Sequence, residues 1–259
     1  MLTLDNGKIL FFTGDGIPFG SDGRASAQDD SSHLGKILLI DPVTKTFEVA
    51  AKGLRNPQHA EFVDSDNAHI AFMEIGGVTA EEINIVKVSD LLDTSVIENF
   101  GWGRNADGKA REGTIYIQPG VVATFGSPPY DSDAPVPEAG FIQPYAQFGR
   151  NFNGFVGGLN AVTGPVTSQA SFVTLVMLFA ELNSGTMFGT LQADLTKTAV
   201  DVCYVDLVDL NNPGTDPVPS LNAFNGNARV DPRFFRYPDG SAGVLLENTG
   251  NYYRFLEMV

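Results

Sequence analysis

A chain of 259 residues, with 28 glycines, 15 prolines and ordinary apolar and charged fractions, suits one large all-β domain or two small ones and excludes wholesale disorder. Its net charge of −15 excludes nucleic-acid binding, since no basic surface offsets phosphate repulsion; it suits a small neutral substrate, a bound cation or plain solubility. The single cysteine, Cys203, excludes an intrachain disulfide and a cysteine-built zinc site, and the apolar run 172–180 is far too short to span a bilayer.

In chain order, Leu4 to Gly14 predict a turn, Asp5-Asn6-Gly7, feeding an apolar strand that closes on glycine. The Asn-Gly pair supplies the positive φ angles a hairpin needs. Strands follow at Lys36 to Ile40 and Thr46 to Ala50. The opening plan returns at Asp64 to Gly76 and again at Pro238 to Asn248. Between those copies, strands are expected at Ile83 to Val88, Thr114 to Ile117, Val121 to Phe125, Phe172 to Phe179, Thr186 to Leu191 and Val200 to Val208. Tyr252 to Leu256 supplies the last. No segment holds helical periodicity over three turns, and only Val86 to Leu92 suits a short helical turn. The proline- and aspartate-rich stretches Ser127 to Glu138 and Asn211 to Ser220 read as long surface loops, because strand patterns continue on both sides. The repeat spacing of about 60 residues matches one four-stranded blade with its loops. The expectation is an all-β propeller, a single domain across 1–259 with roughly four blades.

Several segments, in order, resemble the glucose/sorbosone dehydrogenase family. Thr13-Gly14-Asp15-Gly16, Ala27-Gln28-Asp29 and Leu34-Gly35-Lys36-Ile37-Leu38 are similar to its GDG…AQD…LGKIL stretch; Gly53-Leu54-Arg55-Asn56-Pro57-Gln58 resembles its GLRNPQ signature. Glu81-Glu82-Ile83-Asn84 and Asn99-Phe100-Gly101-Trp102-Gly103 are similar to its EEIN and NYGWP segments, and weaker similarity runs through 179–188 and 229–254. The resemblance implies a six-bladed propeller, of which this chain would carry about four blades, lacking N-terminal blades. It also implies pyrroloquinoline quinone (PQQ) and calcium as cofactors, a sugar or alcohol substrate, an external electron acceptor and a periplasmic or secreted location. No secretory leader is read at Met1, which leads into a strand and turn.

By the same resemblance, Arg55, Asn56 and Gln58 contact the cofactor, with Arg229 from the Arg229-Val230-Asp231 stretch as a further contact. The chemistry agrees: a guanidinium pairs with a PQQ carboxylate through two parallel hydrogen bonds, and amides satisfy neutral oxygens. The plainer alternative is that Arg55 and Asn56 brace a turn between blades. The carbonyls of Gly76 and Gly77 and the Glu82 carboxylate resemble the calcium-binding loop, a hard-oxygen set. Gly77 replaces the family's proline and Ile75 a glutamine found in some members; Glu81 reads as a solvent-facing neighbour. Asp15 matches the aspartate that orients the base histidine, a residue the resemblance places before this chain's start; little or no activity is therefore expected of this chain. His33, His59 and His69 read as structural or exposed. Two other functions stay open: a non-catalytic propeller binding a protein, glycan or calcium, and a calcium-dependent lactonase-type site using Glu74, Asn84 and Glu247.

Overall fold

The computed structural model describes residues 1–16, 24–76, 80–104, 110–111, 140–149, 159–163, 177–181, 185–190, 194–197, 203–209, 211, 216–218, 220–224, 226, 229–238 and 241–255. The expected strands at 114–117 and 121–125, the proline-rich 127–138 and Gly77 lie outside the described residues.

The Asn-Gly turn works as its sequence requires. Gly7 has φ of 81°, and it joins β1 (Leu2–Thr3) to β2 (Ile9–Phe12) as an antiparallel pair. After a short helix, α1 (Arg24–Gln28), β3 (Lys36–Asp41) and β4 (Thr46–Lys52) extend that sheet in chain order. The second sheet starts with β5 (Pro57–Phe62) and β6 (His69–Glu74), linked by the Asp64–Ala68 turn, in which Asn67 takes φ of 56°. β7 (Ala80–Lys87) pairs with β6 and leads into α2 (Val88–Leu92). β8 (Glu98–Asn99) then returns to the first sheet, parallel to β4, and β9 (Gly103–Arg104) pairs with β10 (Ala110–Arg111). β11 (Ala146–Gly149) closes the second sheet against β7. A third sheet holds β12 (Leu159–Thr163), β13 (Met177–Glu181), β14 (Met187–Thr190) and β15 (Cys203–Tyr204), and a fourth β16 (Pro232–Arg236), β17 (Ala242–Leu246) and β18 (Asn251–Arg254).

The all-β expectation holds for the described residues: several antiparallel sheets with two five-residue α-helices and a short 3-10 turn at Leu221–Phe224. β11, β12 and β16 were not legible as strands. Ala146-Gln147-Phe148-Gly149 has little β-propensity and becomes a strand because β7 offers it a partner edge. β16 opens on Pro232, which a strand tolerates at its first residue. Of the strand expected over 200–208, residues 200–202 lie outside the described residues, Cys203–Tyr204 form β15, and Leu207 makes an isolated bridge to Val218.

Period-two alternation along β6 fixes how the sheets stack. Ile70 and Phe72 join Leu10, Ile37, Leu39, Leu54 and Phe100 in one core, whereas Ala71 and Met73 join Ile83, Tyr145, Phe179, Phe188 and Val244 in another. The second sheet is therefore buried on both faces, between the first sheet and the third and fourth. Phe72 packs against Phe12 in a tilted contact and against Phe100 edge-on, at ring-centroid distances of 5.4 and 5.0 Å. Arg236 of β16 reaches Glu61 of β5 at 2.9 Å, tying the fourth sheet to the second.

Two buried devices hold the loops that cap these sheets. The fully buried Lys36 ammonium donates to the carbonyls of Ser26, Ala27 and Leu34 at 2.8, 3.0 and 2.8 Å, docking α1 on β3. Gln28 and Asn99 exchange side-chain amide hydrogen bonds at 3.0 and 2.9 Å, and Gln28 also donates to the Trp102 carbonyl. Gly53 passes directly beneath this pair with φ of 78°, and a Cβ there would meet Gln28 Nε2 at 2.7 Å. We expect Gly53→Ala to lower stability by about 2–4 kcal/mol through backbone strain and overpacking, read as a lower urea midpoint at unchanged m-value.

Candidate functional site

Asn56 precedes Pro57, which bars the helical region and holds the chain extended as it enters β5. The backbone N–H groups of Arg55 and Asn56 both point at one carboxylate oxygen, Glu74 Oε1 at the end of β6, at 2.6 and 2.7 Å. The Arg55 carbonyl accepts from the Asp15 N–H at 2.8 Å, and the Asn56 carbonyl from the Ile75 N–H at 3.2 Å. Arg55 is thus held on both sides of its peptide. Its side chain is held as well: Nη1 donates to the carbonyls of Ile75 at 3.0 Å and Gly76 at 2.7 Å, and the guanidinium lies over the Trp102 ring, 5.6 Å from its centroid.

The structure therefore gathers Asp15, Arg55, Asn56, Gln58 and Gly76, five residues singled out from the sequence. Gln58 donates to Asn56 Oδ1 at 2.7 Å. Asp15 Oδ2 accepts from the Trp102 indole N–H at 3.1 Å, which joins the NFGWG turn to the same place. Glu82, paired across the strands with Glu74, accepts weakly from Asn84 at 3.4 Å.

Glu81 does not face solvent. It is fully buried and accepts the Gly76 N–H at 3.1 Å. The reason is architectural: β7 has cores on both faces, so alternation leaves it no exposed side. Arg229 sits elsewhere, before β16, with its guanidinium on Asp231 at 2.7–3.0 Å and its side chain largely in solvent. Glu247 is also exposed, paired with Arg233 at 2.8 Å, so the set Glu74, Asn84 and Glu247 combines two buried groups with one on the surface.

The histidines are engaged away from Asp15. His33 is exposed and meets the Phe47 ring edge-on, His59 Nε2 lies 3.5 Å from Glu61, and His69 Nδ1 lies 2.6 Å from Asp64 in the hairpin turn.

Glu74 and Trp102 are the residues of the candidate site that sequence reasoning undervalued. The signal for Glu74 was an ionisable residue ending an apolar run, a placement that demands a buried partner. Burial pushes its carboxyl up to about 8, against the opposing pull of the two backbone N–H groups and of Arg55. Glu74 Oε2 and Asn84 Oδ1 are buried without a hydrogen-bond partner among the described residues. Among those residues, no three His, Cys, Asp or Glu side chains are grouped to hold a metal. Oxygen donors of the kind a cation takes lie along this end of the sheet: the Gly76 carbonyl and, on one face of β6 and β7, the Glu74 and Glu82 carboxyls and the Asn84 amide. Arg55, Asn56 and Gln58, all half-buried, form a donor set that suits an anionic, carbonyl-rich ligand.

No protein-family model matches the sequence, and no curated protein matches it. Solved structures do. The PQQ-bound form of aldose sugar dehydrogenase from Streptomyces coelicolor matches over 95% of this chain and 55% of its own, with a TM-score of 0.50 at 18% identity. Two glucose dehydrogenase structures match over 94% of this chain and 59% and 58% of theirs, each with a TM-score of 0.56 at 16% identity. The expected likeness to sugar dehydrogenases is thus present in the fold, as a partial match to that propeller class. The chain spans 55–59% of the length of these structures. Among the described residues, no helix is long and apolar enough to cross a membrane.

Glu74 sets a pH dependence whose sign is fixed. With its carboxyl raised from 4.5 to about 8, the folded chain binds this proton more tightly than the unfolded chain does. The group's contribution to stability is complete below 4.5 and is lost as pH rises towards about 8. The urea midpoint of the wild type, relative to that of Glu74→Gln, should therefore fall as pH is raised across this window; a constant difference would contradict the assignment.

Proposed function

We propose that this chain is part of a six-bladed quinoprotein propeller, contributing about four of its blades, that oxidises a sugar or alcohol and passes electrons to an external acceptor. The observation that carries the reading is the convergence of Asp15, Arg55, Asn56 and Gln58 at one place, within a fold similar to a PQQ-bound sugar dehydrogenase. PQQ, when bound, supplies a quinone that accepts hydride from the substrate carbon. Arg55 would pair with a carboxylate of this cofactor, while Asn56 and Gln58 would satisfy its neutral oxygens. Calcium would be held by the carbonyls of Gly76 and Gly77 with Glu82 close by, oxygen ligands of the kind this ion takes. Arg229 would enter only as an outlying contact, after release from Asp231.

Asp15 would orient a base and stabilise it once protonated. Among the described residues no histidine hydrogen-bonds to Asp15, whose Oδ2 accepts the Trp102 indole N–H. The base is accordingly assigned to a part of the protein other than these residues, and this chain is expected to bind cofactor with little or no turnover. An exported location, periplasmic or secreted, follows from the same resemblance. A non-catalytic propeller that binds protein, glycan or calcium is the second reading, favoured by Ile75, an apolar residue at a position where some relatives place a cofactor-touching glutamine.

Calorimetric titration of the purified chain with PQQ, with and without calcium, separates the two. The proposal expects calcium-dependent binding that Arg55→Ala weakens at least about tenfold, the scale of losing a charge-assisted hydrogen bond. A folded wild-type chain that binds no PQQ would transfer the assignment to the non-catalytic module.

A further inference from the structure

Two successive carbonyls, of Ile75 and Gly76, converge on a single nitrogen, Arg55 Nη1, at 3.0 and 2.7 Å. Peptide carbonyls aimed at one point form a seat for positive charge, and Arg55 fills it. The surroundings favour charge of that sign. Glu74, 4% exposed, and Asn84, fully buried, lie on the same face of β6 and β7, and each has an oxygen without a partner among the described residues. Glu82 shares that face, directly across from Glu74.

We propose that Arg55 is a built-in competitor for the cation seat at the end of β6: its guanidinium and an external divalent cation exclude one another at the Ile75 and Gly76 carbonyls. This deepens the proposed function, since it rests on Gly76 serving a cation there. The exclusion is both steric and electrostatic. A calcium ion needs the Gly76 oxygen at about 2.3–2.6 Å, the place where Nη1 now donates. Two positive charges a few ångströms apart in a water-poor site repel strongly.

Reciprocal coupling follows. An anionic ligand that draws the guanidinium off the carbonyls vacates the seat and raises cation affinity, and a bound cation releases the guanidinium towards the anion by the same factor. Arg55 therefore has opposite effects on the two partners, helping the anion and hindering the cation.

The test uses metal alone. Trp102 is the chain's one tryptophan, and its ring lies 5.6 Å from the Arg55 guanidinium carbon, so it is placed to sensitise terbium luminescence at this seat. Calcium affinity is read by displacement of terbium in the wild type, Arg55→Gln and Arg55→Met, with folding checked by circular dichroism. Calcium should bind both variants about tenfold more tightly than the wild type, as expected when a charge-assisted donor no longer competes. Equal or weaker binding in a folded variant overturns the proposal, as does an absence of calcium binding in all three. The wild type gives a second, independent readout: the side-chain Nε resonance of Arg55 must shift as calcium saturates the chain, and a resonance that stays fixed at saturation also overturns it. PQQ is absent from both measurements, so a failure to bind PQQ counts against the proposed function alone.

Discussion

One carboxylate oxygen, Glu74 Oε1, receives the backbone N–H groups of both Arg55 and Asn56 inside the protein. Burying this carboxyl costs it hydration and favours its neutral form below about pH 8, and two short hydrogen bonds from adjacent peptide N–H groups offset part of that cost. The bonds do more than satisfy Glu74. They fix the direction in which the chain enters β5, and with it the aim of the Arg55, Asn56 and Gln58 side chains. Because Glu74 ends β6, the site is referenced to the strand that is buried on both faces. The candidate site is therefore built on a rigid element, although its functional groups leave from a turn.

The same turn is tied to three other parts of the chain. The Asp15 N–H bonds the Arg55 carbonyl, bringing the end of the first hairpin to the site. The Trp102 indole bridges Asp15 and the Arg55 guanidinium, and the Trp102 N–H bonds the Gly53 carbonyl. Gln28 and Asn99 lock α1 to the NFGWG turn beneath. These contacts join segments far apart in sequence, so the site forms only once the first two sheets have stacked. Their shared core, with Phe72 against Phe12 and Phe100, is the apolar counterpart of this polar network.

Much of this was legible in the sequence, for definite reasons. The hairpin at Gly7 and the turn at Asn67 were visible because positive φ angles leave a residue signature. Arg55, Asn56 and Gln58 were visible because they sit in one contiguous motif. Glu81 was misread because a strand covered on both faces has no solvent side to reveal. Glu82 was singled out as a calcium-loop carboxylate and Asn84 as a member of a lactonase-type set, and only the packing of β7 shows that both are buried. β11 and β12 carry weak strand signals, since their partners rather than their own residues make them strands. The pairing of Arg229 with Asp231 was within reach of the sequence, two residues apart, yet its exposure was not.

The Glu74 carboxyl group clamps the Arg55–Asn56 turn, and this clamp makes the site. Hydrogen exchange at the amides of Arg55 and Asn56 tests it most directly. Both should rank with the slowly exchanging amides of β6, and both should lose that protection in Glu74→Ala while the amides of β13 and β14 keep theirs. Exchange in the wild type as fast as in the exposed turn around Asp66 would show that the clamp is not made in solution.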